Sequence, residues 1–319
     1  MALVDILVYL VFYSSALLIG SAFMFHVNGF LRLVFSGGFS WKSLSLNKIS
    51  LPFYEVLNLF SWSPIPKETL SVHIFTILPF LYFFLLVLSS LFLPWGAALF
   101  VSSEEGIFWF VLLVAFIHLL TLMMSWVAQT VDSMWGLPYL FIAFCSACFV
   151  LFMVVLPVSL WVGSMNLERV VAEQASLWFV APLFPVFLLY LIFVIIFCHQ
   201  SPFGIMNISG KMPLYHCAEY VGGMGSFLIL TEYLMFILMC GFGVTLFWGG
   251  ALPLKASLGW PPMAWFLMKL GVFMMLVTWI SSSMPNMRRD QALKFLIKGI
   301  FPFSCATFIV YVFLKTILF

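Results

Sequence analysis

Three ionisable side chains stand in stretches that are otherwise almost wholly apolar. Glu232 lies in LILTEYLMFIL, Lys269 in WFLMKLGVFMM, and Glu219 precedes Glu232 by thirteen residues in the loop YHCAEYVGGMG. A charge at bilayer depth is expensive, which makes each of them a candidate functional group. A carboxyl group in hydrocarbon gains less from ionising than it does in water. It can therefore take up and release protons near neutral pH, as a proton relay requires. The alternative for Glu232 is a structural pairing with a Ser, Tyr or Lys of a neighbouring helix, and the sequence alone leaves both readings open. Lys269 fits pairing or snorkelling better than chemistry. Along a straight helix thirteen residues turn about 1300°, which leaves the two carboxylates about 220° apart. Gly222, Gly223 and Gly225 make a straight helix there unfavourable and let the loop bring Glu219 under Glu232.

Other chemistry finds little support. The histidines (His26, His73, His118, His199 and His216) are scattered, and His118 reads as a satisfied core group rather than a ligand. Cys145 and Cys148 have the C-x-x-C spacing, but no second pair or nearby His completes a metal site. The cysteines read as small apolar residues. No Gly-rich phosphate loop and no Ser/His/Asp arrangement appears, so the chain alone offers no covalent or hydride chemistry.

The elements that must position these groups follow from composition. Of 319 residues, 65% are hydrophobic and only 8% charged, against roughly 25% charged in soluble domains. That excludes a cytosolic globular enzyme, a nucleic-acid binder and a disordered linker, and leaves an all-α polytopic membrane protein, a single integral domain over 1–319. A crossing needs about 20 apolar residues. Eight stretches qualify, near 3–24, 74–100, 107–127, 137–163, 176–198, 225–250, 262–283 and 297–318. The N-terminal stretch lacks a basic n-region and reads as the first span rather than a signal or transit peptide. Between 25 and 73 lie short amphipathic pieces, FLRLVF and Pro52–Phe60. In the second, Glu55 and Asn58 share one face opposite Phe53, Val56, Leu57 and Phe60, as suits a helix lying in the interface.

Lys and Arg set the orientation. Arg32, Lys42, Lys48, Lys67, Lys211, Arg288, Arg289, Lys294 and Lys298 fall on one side, against Arg169, Lys255 and Lys315 on the other. The loops after the first, fifth and seventh spans therefore face the negative side, and both termini the positive side. Arg288, Arg289, Asp290 and Gln291 begin the eighth span as a cationic membrane-edge cluster.

The C-terminal third resembles the quinone-site membrane subunit of respiratory complex I, subunit 1 and its bacterial counterparts. Ser201-Pro202-Phe203 is followed by Glu219-Tyr220, then by Glu232-Tyr233 thirteen residues on, and by Leu246-Phe247-Trp248-Gly249-Gly250. Lys269 stands ten residues before Trp279, and Pro285-x-x-Arg288-x-Asp290-Gln291 precedes Lys298 and Pro302. Ala128-Gln129-Thr130-Val131 and Pro52–Phe60 carry a weaker likeness upstream. The resemblance implies a subunit at the junction of the peripheral and membrane arms, forming a wall of the tunnel through which ubiquinone enters from the bilayer. It implies Glu219 and Glu232 as proton-relay acids, and Glu55, Tyr220, Tyr233, Arg288, Asp290 and Lys269 as tunnel and support residues. It also implies FMN and iron–sulfur clusters in partner subunits, none in this chain, with ubiquinone as substrate and phospholipid such as cardiolipin as a neighbour. The expected place is the mitochondrial inner membrane.

The departures from that pattern concern charge. The acids expected after Ser-Pro-Phe are Gly204, Asn207, Ser209 and Lys211 here, and the Glu and Arg before it are Phe197 and Gln200. Two rival expectations remain: a stand-alone proton-coupled transporter using Glu232, and the related subunit of a membrane-bound hydrogenase.

Overall fold

Hydrocarbon offers no hydrogen bonds, so an apolar run that enters it must satisfy its backbone internally, and the helix does this within one segment. The computed structural model describes residues 3–35, 72–96, 103–129, 131–200, 202–203, 220, 222–252, 261–285 and 287–318. These form α1 (Leu3–Phe35), α2 (Val72–Leu91), α3 (Gly106–Ala128), α4 (Val131–Val162) and the short α5 (Leu167–Glu173). They continue with α6 (Phe184–Phe197), α7 (Gly223–Phe247), α8 (Pro262–Ser283), α9 (Arg289–Phe295) and α10 (Phe301–Leu318). Among the described residues seven helical stretches are long and apolar enough to cross a membrane, and α6 is a shorter apolar helix.

The departures from the expected spans have local causes. α1 runs eleven residues past position 24 and absorbs FLRLVF, because nothing between Phe25 and Phe35 forces a stop. α2 ends at Leu91, since Pro94 has no N–H to continue the ladder. The chain turns there, with the Trp95 indole N–H donating to the Ser90 carbonyl at 2.9 Å. The expected span 176–198 is helical only over 184–197. Pro182 and Pro185 interrupt the ladder before it, and residues 179–183 form turns instead. The last span starts earlier than expected: α9 runs through a π-turn (Leu296–Ile300) into α10. Hydropathy does not point to α5. This helix is capped at Asn166, whose side chain accepts from the Glu168 N–H at 2.8 Å. The amphipathic segment Pro52–Phe60, with Glu55, lies outside the described residues.

α7 is the centre of the bundle, buried along most of its length and touched by α1, α2, α5, α6 and α8. Its small residues let rings approach the backbone. A Cβ added at Gly243 would meet Phe273 Cζ at 2.7 Å and collide with the Tyr190 ring, both of which are fully buried. Gly243→Ala is therefore expected to destabilise the fold by about 1–3 kcal/mol through overpacking. The check is the thermal stability of the purified protein or its assembly, and an unshifted transition would show that both rings can yield. The Phe110 and Phe242 rings, 4.2 Å apart and nearly parallel, join α3 to the same helix. Polar links tie outer helices inward: Tyr13 to Ser90 at 3.0 Å, and Thr278 to Asn28 at 2.9 Å.

Candidate functional site

Glu232 sits nine residues into α7, half-buried, with its carboxylate facing α2. Tyr82, 1% exposed, donates its hydroxyl to Glu232 Oε1 at 3.2 Å. Tyr82 belongs to a buried face of α2 made by Phe75, Leu78, Tyr82, Leu86 and Ser89, the i, i+3, i+7 spacing of one helical stripe. Sequence reasoning missed this tyrosine. The available signal was a lone phenol in mid-span, whose O–H must find an acceptor when buried in hydrocarbon.

The same stripe holds Tyr220. Its ring stacks on Phe75 with centroids 3.9 Å apart and 6° between planes, and its hydroxyl donates to the Phe75 carbonyl at 3.0 Å. The Tyr220 carbonyl presses against Gly225 so closely that no Cβ fits there. Phe75 and Tyr82 are two turns apart on α2, so this helix reads both ends of the segment from Tyr220 to Glu232. Glu219 lies outside the described residues. Tyr233 is half-buried next to Glu232 on α7.

At the end of the bundle where α7 begins, two motif pieces converge. The Met287 N–H donates to the Pro202 carbonyl at 3.1 Å, Phe203 stacks on Phe295 at 5.7 Å, and the Tyr139 hydroxyl donates to the Phe203 carbonyl at 3.3 Å. Pro-Phe is thus fixed to α4, α9 and the turn after α8. Arg288 and Asp290 are exposed where α9 begins. Gln291 Oε1 accepts from the Arg288 N–H at 3.3 Å, half of a capping box, and Asp290 in the first turn complements the helix dipole.

Lys269 lies elsewhere. Only 2% exposed, it reaches the far end of α7 and donates to the carbonyls of Trp248, Gly250 and Leu252 at 2.7, 3.1 and 2.7 Å. Its ammonium also stands 4.7 Å from the centre of the Trp178 ring. Gln174, which follows α5, completes this polar knot. Its amide donates to the Val170, Thr245 and Leu246 carbonyls at 3.1, 2.9 and 3.2 Å, and its oxygen accepts from the Gly249 N–H at 2.8 Å. A helix C-terminus in the bundle interior leaves carbonyls without donors, and Lys269 and Gln174 supply them. Among the described residues no three of His, Cys, Asp and Glu converge on a metal-sized site.

An all-helical polytopic membrane protein with a phenol-bound carboxylate in its central helix is the class defined so far. Residues 45–312 match the family described as NADH dehydrogenase. The chain is 28% identical over 259 residues to NADH-ubiquinone oxidoreductase chain 1 of Chondrus crispus, covering 80% of this chain and 79% of the relative. It is likewise 28% identical over 258 residues to the chain of the same description from Metridium senile, covering 80% and 77%. A bacterial relative, an NADH-quinone oxidoreductase chain of Rhodospirillum centenum, is 34% identical over 155 residues, 48% of this chain and 46% of the relative. The chain belongs to the NADH dehydrogenase subunit 1 family, the membrane subunits of respiratory complex I.

Proposed function

We propose that this chain forms part of the ubiquinone access tunnel in the membrane arm of a proton-pumping NADH:ubiquinone oxidoreductase, and that it links quinone reduction to proton translocation. The observation that carries the reading is the position of Glu232. It is an acid in the most buried span, held by Tyr82, and it stands at the second Glu-Tyr pair of the family pattern. Glu232 is the proton-exchanging group in this reading, with Glu219 as the second acid of the relay. Tyr220, Tyr233, Arg288, Asp290 and Glu55 shape or support the tunnel, and Lys269 fixes α7 from its far end. The chain binds no cofactor of its own. FMN and the iron–sulfur clusters belong to the partner subunits that deliver electrons to ubiquinone, and cardiolipin-like phospholipid fills the outer grooves. Two relatives matched over four fifths of this chain, from Chondrus crispus and Metridium senile, are named for ubiquinone, which favours the mitochondrial inner membrane.

The test is gentle solubilisation followed by native electrophoresis with an in-gel NADH oxidation stain. Co-migration with that activity in a megadalton assembly is expected. Migration as a lone monomer or small oligomer would favour a stand-alone transporter, and a nickel–iron partner would favour the hydrogenase relative.

A further inference from the structure

α6 is 14 residues long, about 21 Å at 1.5 Å per residue, and so falls short of a hydrocarbon core of about 30 Å. Beyond Phe197 the chain folds into a tight turn. The His199 N–H donates to Ile196 at 3.1 Å, the Gln200 N–H donates to Ile195 at 2.9 Å, and His199 takes a left-handed φ of 48°. This pair of bonds is the Schellman stop of α6, with His199 at its left-handed C′ position. His199 is 7% exposed, and its ring lies over His118 of α3 with centroids 5.4 Å apart and 3° between planes. His118, 4% exposed, also stacks on Phe197 at 4.1 Å and Phe144 at 5.6 Å.

The depth of this pair follows from helix arithmetic. His118 is ten residues from the Ala128 end of α3, Tyr82 ten from the Val72 end of α2, and Glu232 nine from the Gly223 end of α7. All three ends lie on the same side of the bundle. Each group therefore sits about 14–15 Å in, and Tyr82, Glu232, His118 and His199 share one layer. α6, whose end carries Cys198 and then His199, packs against α7, the helix of Glu232. The helices packed against α3 and α6 carry His73 and Tyr82 (α2), Asp132, Tyr139, Cys145 and Cys148 (α4), Glu232, Tyr233 and Cys240 (α7), Lys269 (α8), and Cys305, Tyr311 and Lys315 (α10), with Tyr190 on α6 itself and Cys198 at its end. Irregular backbone at membrane depth is tolerated where protein buries it or where it borders a hydrated cavity.

We propose that His118 and His199 act as one proton-holding site that exchanges protons with Glu232, which extends the relay of the proposed function and rests on that reading. Imidazole both accepts and donates protons in the neutral range. In the forward step the O–H of the Glu232 carboxyl breaks and an N–H forms on one imidazole, leaving a carboxylate beside an imidazolium. The imidazolium then releases that proton to water and the Glu232 carboxylate takes up another, which restores the starting state. Two imidazoliums with centroids 5.4 Å apart repel, so the pair carries a single proton.

The experiment uses the assembled complex and reads protons pumped per electron, with ferricyanide-linked NADH oxidation measured alongside. His199→Asn keeps a side chain that tolerates the left-handed backbone but cannot titrate, and His118→Phe keeps the stack. Each is expected to abolish most of the pumped-proton ratio while ferricyanide-linked oxidation stays unchanged. The double variant should lose little more, and His199→Asp should recover part of the loss. A wild-type ratio in His199→Asn overturns the proposal. If neither variant assembles, the unmodified complex decides: a titration step in the ratio across the pH range in which the complex stays active supports the pair, and a flat profile overturns it. An unmodified assembly without ferricyanide-linked NADH oxidation would instead remove the complex I reading, and the pair's role with it.

Discussion

Glu232→Gln is expected to lower proton-coupled quinone reduction by about a hundredfold or more, the scale of a lost proton-transfer group, and to leave ferricyanide-linked NADH oxidation intact. Glutamine keeps the shape of the side chain and an oxygen for the Tyr82 hydroxyl, whose bond spans 3.2 Å. α7 therefore keeps its packing, and the change removes titration alone. Tyr82→Phe is the companion variant. It leaves the acid in place but deletes the donor that orients it, so a several-fold loss in the same direction is expected. Oxygen uptake or quinone reduction read together with a pH-sensitive dye separates electron flow from pumping. Unchanged pumping in Glu232→Gln would return this residue to a structural pairing between helices.

Lys269→Met is expected to fail in a different way, through assembly. The lysine supplies the donors for the carbonyls of Trp248, Gly250 and Leu252. A buried carbonyl left without a donor costs about 1–3 kcal/mol, so losing these bonds together removes roughly 3 kcal/mol or more. The cation–π contact with Trp178 is lost as well. Lys269→Arg should recover only part of the loss, because a planar guanidinium cannot place its donors on three carbonyls that surround a single point. The checks are the yield of assembled complex on native gels and its thermal transition. Wild-type yield and stability in Lys269→Met would show that Gln174 alone closes this end of α7. Glu232 and Phe247 are fifteen residues apart on α7, about 22 Å. The two variants thus probe separate ends of one helix: one affects pumping without assembly, the other assembly first.

The helical class is readable from the sequence because it rests on hydropathy and length, and the span expected at 262–283 coincides with α8. Glu232 is readable for the same reason, since an acid in an apolar run is conspicuous. Its partner is not. Tyr82 and Glu232 are 150 residues apart, and no local pattern in α2 says which span its tyrosine meets. The short α6 is hidden because VAPLFPVF is as apolar as a helix, and hydropathy does not register that Pro182 and Pro185 cannot donate. Gln174 looks like an ordinary loop residue, and its role depends on the α7 terminus folding onto it. For Lys269 the sequence points to pairing or snorkelling, and the structure gives it backbone carbonyls as partners. The stacked histidines are non-local in the same sense: one belongs to mid-span α3 and the other to the turn that an early helix end creates.

The near-complete enclosure of α7 bears on how the chain is made. A span that offers little surface to lipid gains little from resting alone in the bilayer, and its carboxylate makes solitary insertion costlier still. Order of synthesis eases this difficulty. α2 emerges long before α7, so the phenol that receives the carboxylate is already in the membrane when Glu232 arrives. Insertion of the central helix thus becomes a docking event onto earlier spans, and damage to α2 should be felt first as a failure of α7 to stay in place.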